Sequence, residues 1–213
     1  MKNIKLKICG MKYPENIEKI AALHPDYLGF IFWEKSSRFM DLKTIPEIPK
    51  NIKKVGVFVN ASIDEIRKKV NLFQLDIIQL HGNETIAFCE ELKKLNIEII
   101  KVFSIADKFN FEILKAYIPF VDYFLFDTNG KLPGGNGITF DWKLLENYSY
   151  EKPFFLSGGI GIIEIEAIRN FFKTETAKNC IALDVNSQFE TKPAYKSEIE
   201  LQKFKKLLYE NKI

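Results

Sequence analysis

An alternation repeated eight times governs what this chain can become: a short β-branched or aromatic run, then a stretch with helical periodicity. The predicted strands are Lys5–Cys9, Tyr27–Phe32, Lys54–Val59, Ile77–His81, Glu98–Ser104, Tyr123–Asp127, Pro153–Leu156 and Cys180–Val185. Helical patterns fall between them at Ile63–Val70, Thr85–Leu95, Phe111–Ile118, Trp142–Tyr148 and Ile162–Phe172, with a last one at Ser197–Tyr209. Dividing 213 residues by eight gives about 27 per unit, room for a strand, a helix and two short loops. Strands separated by helices pair in parallel, because a parallel pair needs a crossover. Eight such units predict an α/β fold, a (β/α)8 barrel with a closed parallel eight-stranded sheet. Asp41–Pro49 carries Pro46 and Pro49, which reduce the second helix to one short turn. No composition shift marks a linker, so residues 1–213 read as a single domain.

Composition removes several classes of function. Thirty-one basic and 28 acidic residues leave a net charge of +3 with the signs interspersed, unlike a nucleic-acid binder. No apolar run approaches the roughly 18 residues of a membrane span, and the charged start lacks a signal-peptide core. Cys9, Cys89 and Cys180 are odd in number and far apart, and His24 and His81 are the only histidines. That pattern predicts reduced thiols, a cytoplasmic location and no metal site.

In such barrels, chemistry sits at the C-terminal strand ends and the loops that follow. Cys9-Gly10 closes the first strand; Cys9 reads as a small buried hydrophobe or as a reactive thiol. Ser36-Ser37-Arg38 follows the second, where an Arg could grip a carboxylate or phosphate with two parallel hydrogen bonds. His81-Gly82 closes the fourth strand and Asp127-Thr128 the sixth, the Asp being either a helix cap or an acid. A glycine-rich loop over residues 129–137 suits an active-site cover or a plain connection. Ser157-Gly158-Gly159 follows strand seven, and strand eight runs out through Asp184-Val185-Asn186-Ser187, where barrels often bind phosphate. The implied ligand is a sugar phosphate or similar small phosphate.

Taken in order, these segments resemble the phosphoribosylanthranilate isomerase family of tryptophan biosynthesis. The matching motifs are Lys7-Ile8-Cys9-Gly10, Leu28-Gly29-Phe30-Ile31-Phe32 with Ser36-Ser37-Arg38, Val55-Gly56-Val57-Phe58 and Gln79-Leu80-His81-Gly82. They continue with Phe126-Asp127-Thr128, Gly134-Gly135-Asn136-Gly137 with Phe140-Asp141-Trp142, Ser157-Gly158-Gly159 and Asp184-Val185-Asn186-Ser187. The resemblance implies an aldose–ketose isomerase that converts N-(5-phosphoribosyl)anthranilate to 1-(2-carboxyphenylamino)-1-deoxyribulose 5-phosphate without a cofactor. It implies Cys9 as general base, Asp127 as general acid, and Arg38 at the anthranilate carboxylate. His81, Gly158, Gly159, Asp184, Asn186 and Ser187 fall at substrate-binding positions, the glycine-bearing loops at the phosphate. A protonated Asp127 would open the furanose ring, which calls for a raised pKa; a Cys9 thiolate, favoured by neighbouring positive charge, would take the C2 proton.

Two positions depart from the family pattern. Ser37 stands where Pro is usual, which predicts a looser approach to Arg38. Gln188 follows Asn186-Ser187 where the family commonly has Ser-Ser-Gly, which predicts crowding of the phosphate amides. Competing readings are a thiol hydrolase using Cys9 and His81, and a non-catalytic phospholigand-binding barrel. The expected partner is a small sugar phosphate, with no nucleic acid and no membrane, in a monomer or homodimer.

Overall fold

The computed structural model describes residues 4–128 and 140–209. Eight strands close into one barrel in chain order: β1 Lys5–Ile8, β2 Tyr27–Ile31, β3 Lys53–Phe58, β4 Ile77–Leu80, β5 Glu98–Ile105, β6 Tyr123–Thr128, β7 Phe154–Leu156 and β8 Cys180–Val185. Each matches its predicted segment to within one residue at either end. All eight neighbouring pairs are parallel, and β1 closes on β8 with Lys5 opposite Ala182 and Lys7 opposite Asp184.

Alternation along each strand sends one set of side chains into the barrel and the other toward the helices. Tyr27, Val55, Ile77, Ile100, Leu125, Phe155 and Ala182 fill the interior as one buried cluster. Leu6, Phe30, Phe58, Ile78, Phe124, Phe126 and Phe154 point outward into a second, larger core beneath the helical layer. Burying each such side chain is worth roughly 1.5–3 kcal/mol, which makes the barrel wall rigid enough to fix the geometry at its rim. At the rim end, the inward positions turn polar or reactive: Lys7 and Cys9 on or just beyond β1, Gln79 and His81 after the same pattern on β4, Asp127 on β6 and Asp184 on β8.

The connections are more varied than the strands. Helices α1 Pro14–Ala21, α2 Ile63–Phe73, α3 Ile86–Lys93, α4 Ile165–Phe171 and α5 Glu198–Tyr209 are regular. Pro14 starts α1 without losing a needed donor. Ser62 Oγ accepts from Glu65 N at 3.2 Å to start α2, and Thr85 Oγ1 accepts from Phe88 N at 3.2 Å to start α3. Residues 41–49 form no helix, contrary to the single turn expected there. Pro46 and Pro49 each remove a donor and push the preceding isoleucine toward extended backbone, and Ile45 and Ile48 pack on the core instead. The patterns at Phe111–Ile118 and Trp142–Tyr148 appear as 3-10 helices, Phe111–Ala116 and Trp142–Asn147. Pro119 closes the first of these before a further turn can form. After β8 comes a feature the periodicity did not announce: a 3-10 turn, Ser187–Phe189, and a hairpin of β9 Glu190–Lys192 and β10 Tyr195–Lys196. No helix among the described residues is long and apolar enough to cross a membrane.

Candidate active site

Cys9, Arg38, His81, Asp127, Asp184 and Asn186 line one cavity of about 500 Å³ at the C-terminal ends of the strands, together with Gln79, Ser36, Ser157 and an apolar wall of Ile31, Trp33, Val57 and Val59. Beside it lies a smaller hollow of about 240 Å³, lined by Gly158, Gly159, Ile160, Ser187 and Gln188, with Asp127, Ser157, Asp184 and Asn186 common to both. Every site residue singled out in the sequence therefore reaches one contiguous region. The glycine-rich segment 129–137 lies outside the described residues. A larger hollow of about 820 Å³, between the 142–147 helix and α4, contains none of these side chains.

Cys9 is 4% exposed, and its backbone N–H donates to Val185 O at 2.9 Å, which extends the β1–β8 pairing by one residue. Two residues earlier on the same inward face is Lys7, fully buried. Its ammonium donates to both oxygens of Asp184 at 2.9 Å, and its charge acts on the neighbouring Cys9 thiol. The register explains the contact, since Lys7 and Asp184 are paired positions on neighbouring strands. Burial would lower the Lys7 ammonium, but Asp184 and Cys9 override it and lift Lys7 above its ordinary value. Burial also pushes the Cys9 thiol up, with Lys7 and Lys196 pulling it back down and Asp184 adding to the rise. The positive charge expected beside the thiol is present, but burial outweighs it, so the thiolate is a minority species and a correspondingly strong base.

Across the cavity, Asp127 is 5% exposed; Thr128 N donates to its Oδ1 at 3.0 Å, and His81 Nε2 lies 3.4 Å from its Oδ2. That separation lacks hydrogen-bond geometry. His81 Nε2 and Gln79 Oε1 are buried polar atoms that have no hydrogen-bond partner among the described residues. Both line the cavity, where a ligand can satisfy them. His81 faces Asp127, so among the described residues the geometry gives the hydrolase pairing of Cys9 with His81 no support.

Arg38 is held firmly. Its Nε and Nη2 donate to Glu190 Oε1 and Oε2, both at 2.8 Å, and its own N–H donates to Ser36 Oγ at 3.1 Å. Glu190 thus fixes the side chain whose loop lacks the usual proline. In the second hollow, Gly158 and Gly159 have φ of +92° and +64°, conformations side chains rarely adopt. A Cβ on Gly158 would lie 2.1 Å from Thr128 Oγ1, so the chain can approach Thr128 this closely only with glycine there. Gln188 lines the same hollow.

Sequence reasoning missed four residues as contributors: Lys7, Gln79, Glu190 and Lys196. Lys7 and Gln79 could have been found from inward register, two residues before Cys9 and His81. Glu190 and Lys196 depend on the hairpin fold.

Known proteins share this chain's sequence pattern and fold. Residues 6–206 match the family model described as N-(5'phosphoribosyl)anthranilate (PRA) isomerase. A relative from Parabacteroides distasonis, the N-(5'-phosphoribosyl)anthranilate isomerase of that organism, is 44% identical over 204 residues, covering 93% of this chain and 90% of the relative. The crystal structure of phosphoribosyl anthranilate isomerase from Thermus thermophilus superposes with a TM-score of 0.83, covering 98% of this chain and 100% of that one; at 22% identity it speaks to the fold alone. A further isomerase structure, in complex with reduced 1-(o-carboxyphenylamino)-1-deoxyribulose 5-phosphate, is 27% identical with a TM-score of 0.77 over 96% of this chain and 98% of that one. Ordered motifs, a closed barrel with its reactive groups in one mouth, and kinship along nearly the whole length agree: this chain belongs to the N-(5'-phosphoribosyl)anthranilate isomerase family.

Proposed function

We propose that this protein isomerises N-(5-phosphoribosyl)anthranilate to 1-(2-carboxyphenylamino)-1-deoxyribulose 5-phosphate in tryptophan biosynthesis, with Asp127 as general acid and Cys9 as general base. The observation that carries the reading is that a buried carboxyl and a buried thiol face one cavity, with a guanidinium and an apolar wall at one side and glycine loops at the other.

The chemistry follows from that placement. Asp127 gives its proton to the furanose ring oxygen, the C1–O bond opens, and the nitrogen lone pair forms an iminium. The Cys9 thiolate then removes the proton from C2, and the electron pair moves into an enolamine that tautomerises to the ketone. The Lys7 ammonium faces the sulfur throughout and stabilises its anionic form. Asp127, left as carboxylate, can be reprotonated from the substrate or through His81. Each positioned proton transfer is typically worth 10² to 10⁴ in rate.

Binding divides along the same lines. The anthranilate ring lies against Trp33 and Val57 with its carboxylate on Arg38. The phosphate occupies the hollow of Gly158, Gly159, Asn186 and Ser187, and His81 and Gln79 take the sugar hydroxyls. Holding both ends fixes the reacting carbons between acid and base. The single barrel spanning residues 1–213 acts in the cytoplasm and needs no cofactor.

The test is loss of substrate fluorescence when the purified protein meets N-(5-phosphoribosyl)anthranilate in the presence of EDTA. Turnover to the deoxyribulose product is expected; ligand binding without turnover would instead leave a phospholigand-binding barrel.

A further inference from the structure

The hairpin β9–β10 stands between β8 and α5, and it is anchored from outside the barrel. Asn16 of α1 donates from Nδ2 to Lys196 O at 2.9 Å and accepts from Lys196 N at 2.8 Å. From this anchored hairpin two charged side chains turn into the barrel mouth. Glu190 takes the Nε and Nη2 hydrogens of Arg38, both at 2.8 Å. Lys196 Nζ donates to Glu190 Oε1 at 2.7 Å, to Asn186 Oδ1 at 2.5 Å and to Asn186 O at 3.2 Å. Ala194 N donates to the same Glu190 oxygen at 3.0 Å. Side-chain exposure is 15% for Arg38, 7% for Glu190 and 0% for Lys196, so water screens this cluster poorly.

Three physical consequences follow. A guanidinium has five N–H bonds, and Glu190 occupies two of Arg38's, leaving three directed elsewhere on a side chain that already lines the cavity. An arginine alone in a loop would give up rotamer freedom when a ligand arrives, and the fork with Glu190 removes that freedom beforehand. Arg38 and Glu190 alone would cancel in charge, but Lys196 returns the group to a net +1, which an anionic ligand can still feel.

We propose that Glu190 and Lys196 are positioning residues for Arg38, forming with it a three-residue clamp that makes the hairpin, rather than the barrel wall, the source of selectivity for a substrate bearing an aryl carboxylate. The inference rests on Arg38 being the carboxylate-binding group of the proposed reaction. The buried Lys196, drawn down to about 8 chiefly by desolvation and held up by Glu190, remains mostly charged at neutral pH, as the clamp requires.

The experiment compares two stable ligands by calorimetry: reduced 1-(2-carboxyphenylamino)-1-deoxyribulose 5-phosphate and its phenylamino counterpart without the carboxylate. They are titrated into wild type, Glu190→Gln, Glu190→Asp and Lys196→Met, each checked for folding by circular dichroism. Wild type should prefer the carboxylate-bearing ligand by about 10²-fold. Glu190→Gln and Lys196→Met should each lose about tenfold of that preference while the phenylamino ligand binds within about twofold of wild type. In turnover, KM should rise by more than kcat falls, and Glu190→Asp should recover part of the loss. Equal weakening of both ligands, as a purely structural hairpin would give, overturns the clamp, and so does an unchanged preference. A wild type that binds neither ligand removes the proposed reaction and the clamp with it; a wild type that shows the preference, with variants that keep it, removes the clamp alone.

Discussion

Replacing Lys7 with Met tests how the thiol is held ready for proton abstraction. The substitution keeps most of the buried stem and removes the ammonium that faces Cys9 and both oxygens of Asp184. Lys7 is the strongest of the charges that pull the buried thiol down, so its loss should move the Cys9 titration up, by less if the abandoned Asp184 takes up a proton. Each pKa unit of that rise is worth about 1.36 kcal/mol, a tenfold change in the thiolate population. The assay is the rate of alkylation by iodoacetamide as a function of pH, with Cys9→Ser giving the background from the buried Cys89 and Cys180. The midpoint should move up in Lys7→Met and stay up in Lys7→Met/Asp184→Asn, where no unpaired carboxylate is left. At pH 7 kcat/KM should fall at least about tenfold and recover as the solution is made alkaline. Superimposable alkylation profiles for wild type and Lys7→Met would refute the role of Lys7 as the thiolate's counter-ion.

Other perturbations probe neighbouring parts of the site. A Cβ on Gly29 would stand 2.7 Å from the Cys9 sulfur, so Gly29→Ala should displace the thiol and lower kcat by about 10²-fold with little change in phosphate affinity, read by steady-state kinetics against inorganic phosphate inhibition. Gly158→Ala combines a φ of +92° with a clash on Thr128, and thermal unfolding should show a loss of about 1–3 kcal/mol together with a raised KM. Arg38→Ala should raise KM more than it lowers kcat, because a carboxylate is gripped in ground and transition states alike; an unchanged KM would take Arg38 out of the site.

Strand positions were readable because each strand is a short inward–outward alternation bounded by polar or glycine residues, and a closed barrel leaves such segments one arrangement. Helix boundaries were less so. The 41–49 connection and the two 3-10 helices are shaped by prolines and by contacts with a core that no local window contains. At the site, Cys9, His81, Asp127 and Asp184 announced themselves as polar residues ending apolar runs. Lys7 did not, because a lysine between Leu6 and Ile8 looks solvent-facing until the β1–β8 register places it opposite Asp184. Glu190 and Lys196 were invisible for a related reason: they meet Arg38 only through a hairpin, a turn and a strand pairing at the far end of the chain. Sequence also gave the positive charge beside Cys9 as a requirement without saying how strongly burial opposes it.

The central claim is that Asp127 and Cys9 move protons at opposite ends of one short reaction path. Turnover of N-(5-phosphoribosyl)anthranilate by Asp127→Asn and Cys9→Ser, followed beside their affinity for the reduced product analogue, addresses it most directly. Each variant should turn over at least about 10²-fold more slowly than wild type while binding the analogue nearly as well. Near-wild-type turnover in either one would contradict the assignment.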